Sequence, residues 1–420
     1  MTRGKLTSLQ GEYAFVSWSI SSSTCQLVNS LTNKNMNIPA EFDDIRPYSP
    51  EELPAVYEEL IADEAFRRVI EKVMPGIPFE AIAMQMRQCK TNLEFQKAFC
   101  YPFLHNLVKK CSDGMSIDCS AIQGDNCPHT FITNHRDIVL DSALLSVLLV
   151  DNGQNTVEIA IGDNLLIFPW IKKLVRINKS FIVQRALTMR QMLEASARMS
   201  RYMHFAIDEK KENIWIAQRE GRAKDSDDRT QDSVLKMMAM GGEGSIVERL
   251  KGLNISPAAI SYEYDPCDYL KAKEYQQKRD IPDFKKSRED DLLNMQTGIF
   301  GRKGRIHFQL TPCINDKLDA LDPAMPKTEI FTAISAMIDR QIHANYRFYP
   351  GNYVAYDWLT GENRFADKYS AEEKTVFEQY IAGQLAKIDL PDKDEAFLCN
   401  KMLAMYANPV KNWLKAMNID

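Results

Sequence analysis

No two cysteines in this chain are spaced as C-x-x-C. The nine cysteines stand scattered at positions 25, 89, 100, 111, 119, 127, 267, 313 and 399. The absence of paired spacing excludes a paired-cysteine finger, and an odd count in a long chain argues against a disulfide framework and points to reduced thiols in a reducing compartment. No metal ligand set is read. Also missing is an uncharged apolar run long enough to span a bilayer: the best, Ile138 to Val150, is short and carries Asp141, so no transmembrane helix is expected. The basic start, Met1-Thr2-Arg3-Gly4-Lys5, leads into polar residues and does not read as a secretory signal. Net positive charge is absent as well. At −5 overall, with no aromatic RNA-binding signature, the chain is not expected to bind nucleic acid. There is no internal repeat. What remains is the 45% hydrophobic, 26% charged balance of an ordinary water-soluble protein, expected in the cytoplasm.

The 420 residues divide by pattern into four stretches. Residues 1–40 are rich in Ser, Thr and Asn and read as a poorly ordered extension. Residues 41–120 read as a helical region. Ser49-Pro50-Glu51-Glu52 has the form of a capping box, and Leu53, Val56, Tyr57, Leu60 and Ile61 follow at helical spacing. Further helices are expected over about 63–74 and 93–110, the latter interrupted near Pro102. Residues 121–325 alternate. Strands are expected at Thr130–Thr133, Glu158–Ile161, Ser180–Val183, Ile214–Ala217, Ile255–Tyr262 and Arg305–Thr311, with helices such as Ala186–Arg201 and Lys236–Leu250 between them. Such alternation favours an α/β fold with a mostly parallel central sheet flanked by helices. Residues 326–420 read as a C-terminal helical region: Glu329–Arg347, Ala371–Ala386 and Glu395–Met417.

Chemistry concentrates at the strand ends. Phe131-Ile132 runs into Asn134-His135-Arg136-Asp137, with Asp141 four residues on. A histidine at a strand end with a carboxylate to orient it is the minimum for a general base, and either Asp137 or Asp141 could serve. Between Phe168 and Arg201 stand eight Lys or Arg against one acid, Glu194, which suggests an anionic partner. Arg185 ends one strand, and Glu220-Gly221-Arg222 follows another; a guanidinium so placed can grip a phosphate bidentately. Leu165-Leu166-Ile167-Phe168-Pro169-Trp170-Ile171, followed by Lys172-Lys173, has the mixture of an interfacial segment.

The order of these pieces resembles the glycerol-phosphate acyltransferase superfamily. Its N-H-x-x-x-x-D block is matched by Asn134-His135 with Asp141 one residue late. Its G-x-N-L…F-F-I-x-R block is matched by Gly162-Asp163-Asn164-Leu165 and Phe181-Ile182-Val183-Gln184-Arg185. Its E-G-T-R-S block is matched by Glu220-Gly221-Arg222 without the threonine, and its V-P-V-x-I-x-Y block by Ser256-Pro257-Ala258-Ala259-Ile260-Ser261-Tyr262. Gly304-Arg305-Ile306-His307-Phe308 matches a closing strand. The likeness covers about residues 128–315.

The resemblance implies O-acyl transfer from an acyl-CoA or acyl-carrier-protein thioester to a hydroxyl of glycerol phosphate or a lysophospholipid, with no cofactor beyond the donor. His135 would be the base and Asp141, or Asp137, its partner. Arg185, Glu220, Gly221, Arg222 and Arg136 would serve substrate binding. It implies a peripheral enzyme at the inner face of the cell membrane. Two alternatives are acylation of a lyso-aminolipid, and a non-catalytic relative that binds lipid or carrier protein. The triplet His135-Arg136-Asp137 also copies a protein-kinase signature, but no glycine-rich loop or V-A-I-K lysine precedes it.

Overall fold

The computed structural model describes residues 37–185 and 188–419; most of the 1–40 stretch lies outside them. Seven strands form one sheet: β1 Met115–Asp118, β2 Thr130–Thr133, β3 Val157–Gly162, β4 Ser180–Val183, β5 Asn213–Ala217, β6 Ile255–Tyr262 and β7 Ile306–Leu310. Their order is β1-β7-β6-β2-β5-β3-β4. All neighbours are parallel except β6 and β7. Strands β2 to β6 therefore end along a common edge, and β1 and β7 run the other way. The fold is α/β, a mostly parallel sheet flanked by helices.

Strand alternation divides the core in two, because successive side chains point to opposite faces. Ile132, Phe181, Ile214, Ile216 and Ile255 pack beneath the helices Met189–Asp208, Asp232–Met238 and Lys327–Ala344. Phe131, Trp215, Ile159, Ile260 and Phe308 pack beneath Tyr101–Cys111 and Leu140–Asp151. The helix Lys327–Ala344 thus belongs to the α/β core, through Phe331, Ile334, Ile338 and Ile342. The later helices bury a separate cluster with Ala272 of the helix Asp268–Asp280.

Six strands stand where expected, to within a residue. The seventh, β1, lies inside the stretch read as helical; it is short and nowhere fully buried, so it lacks the apolar alternation that marks a strand. The helix after Tyr48 starts at Leu53 rather than at Pro50. Glu52 does accept the Ser49 N–H (2.6 Å), as a capping box requires, but it closes a turn and pairs with Arg46. Pro102 does not interrupt its helix. A π turn over Gln96–Cys100 joins Asn92–Phe95 to Tyr101–Cys111, and widening the coil accommodates the missing N–H. Lys236–Leu250 is two helices, Asp232–Met238 and Ile246–Lys251, parted where Gly242 and Gly244 take positive φ. The helices Phe79–Gln88, Arg288–Phe300 and Pro350–Thr360 were not expected.

Candidate active site

The residues after β2 form a braced turn. Asn134 is fully buried; its amide donates to the Ile260 carbonyl (3.0 Å) and accepts the Ile260 N–H (2.8 Å), locking the turn to β6. His135 follows at the sheet edge. Its Nδ1 lies 2.8 Å from Oδ2 of Asp141, and its ring meets Trp215 edge-on at 5.8 Å. The Trp215 indole N–H is itself tied to Thr133 Oγ1 (3.1 Å). Among the described residues Nε2 of His135 has no hydrogen-bond partner, and the side chain keeps 12% of its surface exposed. One nitrogen is held and the other is left for chemistry.

Asp141 is completely buried in the first turn of the helix Leu140–Asp151. It accepts from the backbone N–H groups of Arg136 (2.7 Å) and Asp137 (3.1 Å), and from the Tyr262 hydroxyl (3.2 Å). Of the two candidate carboxylates, Asp141 is the one that meets His135. Asp137 instead caps the helix, accepting the N–H groups of Val139 (2.9 Å) and Leu140 (2.8 Å). This cap takes up the one-residue lengthening of the His-to-Asp spacing. Burial, and then the nearby Asp141, push the Asp137 carboxyl above its ordinary range. Donors for an oxyanion are not found in the N–H groups of Arg136 and Asp137, since Asp141 has taken them.

The arginines separate. Arg136 is spent on structure: both terminal nitrogens bind Asp228 (2.7 and 3.3 Å), which is fully buried and also accepts from the Tyr346 hydroxyl (2.6 Å). It is a strut, not an open phosphate clamp. Arg222 comes beside the histidine turn. Burial weakens its charge, but the surrounding Cys267, Asp265 and Asp137 outweigh that and hold the guanidinium firmly protonated. Arg185 is exposed at the end of β4, three strands from β2, and pairs with Glu220 (2.9 Å). Gly221 takes a left-handed φ of 69°, and this turn carries the loop from Glu220 to Arg222.

The positive excess of 168–201 largely dissolves in three dimensions. Lys173 pairs with Glu59, Lys179 with Glu212, Arg198 with Asp44 and Arg201 with Glu41. Arg176 is buried, donating to the carbonyls of Arg46 and Asp43. The expected interfacial segment also divides. Ile167 and Phe168 are exposed, whereas Trp170 packs on Phe66 at 5.8 Å.

A small cleft opens beside the site, walled by Arg136, Tyr262, Asp265, Tyr346, Arg347 and Tyr406 among others. His135 is not among its lining residues. Arg347 makes no side-chain hydrogen bond or ion pair among the described residues. Sequence reasoning missed it, as it missed Asp228 and Tyr262 as supports.

No family model matches the chain, and no curated protein matches it in sequence. Among solved structures, the chain is similar to the 1-acyl-sn-glycerophosphate (LPA) acyltransferase of Thermotoga maritima. Identity is 10%, the match covers 71% of this chain and 100% of that one, and the TM-score is 0.35.

Proposed function

We propose that the protein is an O-acyltransferase, moving a fatty acyl group from an acyl-CoA or acyl-carrier-protein thioester to a hydroxyl of glycerol phosphate or a lysophospholipid. The observation that carries the reading is the 2.8 Å contact between His135 Nδ1 and Asp141, with Nε2 unpartnered among the described residues, at the end of β2. His135 Nε2 takes the proton of the acceptor hydroxyl as its oxygen attacks the thioester carbonyl. Asp141 fixes the tautomer and stabilises the imidazolium. Collapse of the tetrahedral adduct breaks the carbon–sulfur bond, and the imidazolium proton goes to the departing thiolate. No covalent enzyme intermediate is required, because the thioester is already activated. Arg222, whose charge is felt by Asp137 of the histidine turn, is the guanidinium assigned in this reading to steer an acceptor phosphate.

A carboxylate out of reach of His135 would favour the non-catalytic alternative; the observed contact supports catalysis. The test is to offer purified protein acyl-CoA and acyl-carrier protein in turn, against glycerol 3-phosphate and a panel of lyso-lipids, with products detected by mass. Product formed by the protein and lost in His135→Ala is expected. Equal turnover in both would end the proposal.

Attachment to an anionic membrane surface is part of the same reading. Among the described residues no helix is long and apolar enough to cross a membrane. The loop after β3 exposes Ile167 and Phe168, and the start of the helix Met189–Asp208, which follows the paired strand β4, exposes Met189, Met192 and Leu193, a composition that suits shallow insertion. Equal partitioning with and without anionic vesicles would refute it.

A further inference from the structure

At the opposite end of β2 stands a second histidine, His129, which the acyl-transfer proposal does not use. The strand rises about 3.3 Å per residue, so the six residues from His129 to His135 place the two rings roughly 20 Å apart. Asp125, Cys127 and His129 bring a carboxylate oxygen, a thiol sulfur and a ring nitrogen all within 4.8 Å of one another. Nε2 of His129 lies 3.3 Å from Oδ2 of Asp125, and the Cys127 sulfur lies 2.9 Å from Oδ1. His129 is only 3% exposed, yet neither ring nitrogen has a hydrogen-bond partner. A buried imidazole so left is uncommon and asks for an explanation; the 3.3 Å approach to Asp125 is not aligned as a hydrogen bond.

We propose that Asp125, Cys127 and His129 bind a single zinc-type divalent cation. A carboxylate, a thiolate and an imidazole form a donor set that suits zinc, and they leave one position of a tetrahedron for water or a further ligand. Ligands bonded at about 2.0–2.3 Å to one tetrahedral ion stand about 3.3–3.8 Å apart. The present separations require only small movements, and the groups that must move, Asp125 and Cys127, are the exposed ones. His129 is anchored: its N–H donates to Asn213 Oδ1 (2.9 Å), its carbonyl accepts from Ile214 (2.9 Å), and its ring stacks on Phe131 at 5.7 Å. Cys313, on the loop after β7, arrives at this same edge because β7 runs antiparallel to β6. On binding, the Cys127 S–H proton passes to solvent and the thiolate bonds to the ion; no oxidation occurs. No carboxylate or carbonyl holds Nδ1 of His129, so the affinity is that of an incompletely buttressed site.

The test does not depend on catalysis. The full chain, reduced and stripped with a chelator, is titrated with Co²⁺ and followed by its thiolate-to-cobalt charge-transfer band, then challenged with Zn²⁺. The band should saturate at one ion per chain and be abolished by Zn²⁺. It should be lost in Cys127→Ser, and its affinity should fall about tenfold or more in Asp125→Asn. Both substitutions sit at exposed positions, so folding is not at stake. Cys119→Ser should keep the band. No band in the wild type, or a band that persists in Cys127→Ser, overturns the proposal.

Discussion

Strand β2 carries a histidine and an aspartate at each of its ends, and the two pairs are built differently. At the end with His135, the carboxylate is sealed from solvent and holds one imidazole nitrogen by a short bond; two backbone N–H groups and a tyrosine hydroxyl hold the carboxylate in turn. At the end with His129, the ring is buried, the carboxylate is exposed, and neither nitrogen is bonded. One arrangement is preorganised for a proton, since every group but Nε2 is already committed. The other leaves both ring nitrogens without a hydrogen bond beside an exposed carboxylate and thiol, which is what an incoming cation needs. A His–Asp pair therefore does not by itself define a role; the partners of the carboxylate decide it.

Substitutions at both ends, and at two sites away from them, break or sharpen this contrast. The largest effect is expected at the braced end. His135→Ala should abolish transfer, and Asp141→Asn should lower kcat by about 10⁴-fold by releasing the tautomer, while His129→Gln leaves kcat within a factor of about 3; steady-state kinetics on one acceptor compares all three. Next is Asp228→Ala, which strands the Arg136 guanidinium in a buried site. A loss of about 3–5 kcal/mol in chemical denaturation is expected, against no comparable loss for Asp125→Ala at the open end.

Asp268 calibrates what burial does to a carboxyl that has only hydroxyl, amide and backbone N–H partners, Tyr380, Tyr406, Gln384 and Tyr269. Burial, reinforced by Asp265, raises it from 3.8 to about 6. Between those values the folded chain keeps a proton that the unfolded chain releases, so stability falls as pH rises through the window. Relative to Asp268→Asn, wild type should lose about 2 kcal/mol from pH 4 to 6, read from denaturation midpoints across pH. The smallest effect is expected for Arg185→Ala. Because that guanidinium is exposed and already paired with Glu220, KM for the acceptor should rise by less than about 5-fold with kcat unchanged. A larger effect on kcat than on KM would move Arg185 into the reaction itself.

Much of the parallel sheet and the His135 turn could be read from the sequence because both rest on local signals: short β-branched runs, and a His-to-Asp spacing within one turn of chain. Asp228 could not. It sits in the run Asp225-Ser226-Asp227-Asp228, whose three acids look alike until folding buries one of them against Arg136. The basic stretch misled for the converse reason. Its neutralising acids, Glu41, Asp44 and Glu59, lie more than a hundred residues away in sequence. The choice between Asp137 and Asp141 was likewise beyond spacing alone, since a helix cap and a triad acid can use the same residue type at neighbouring positions.

A last consequence concerns Gly298, in the helix Arg288–Phe300. A methyl group added there would collide with the Asp137 carboxylate and touch the Cys267 sulfur. The position is far in sequence from the histidine, yet it sets the height of the cap on which Asp141 rides. A saturation library should therefore show an isolated spike of intolerance at this residue, within a helix whose charged outer positions accept almost anything. Second-site revertants should gather not around 298 but at 137, where a shorter side chain would restore the clearance.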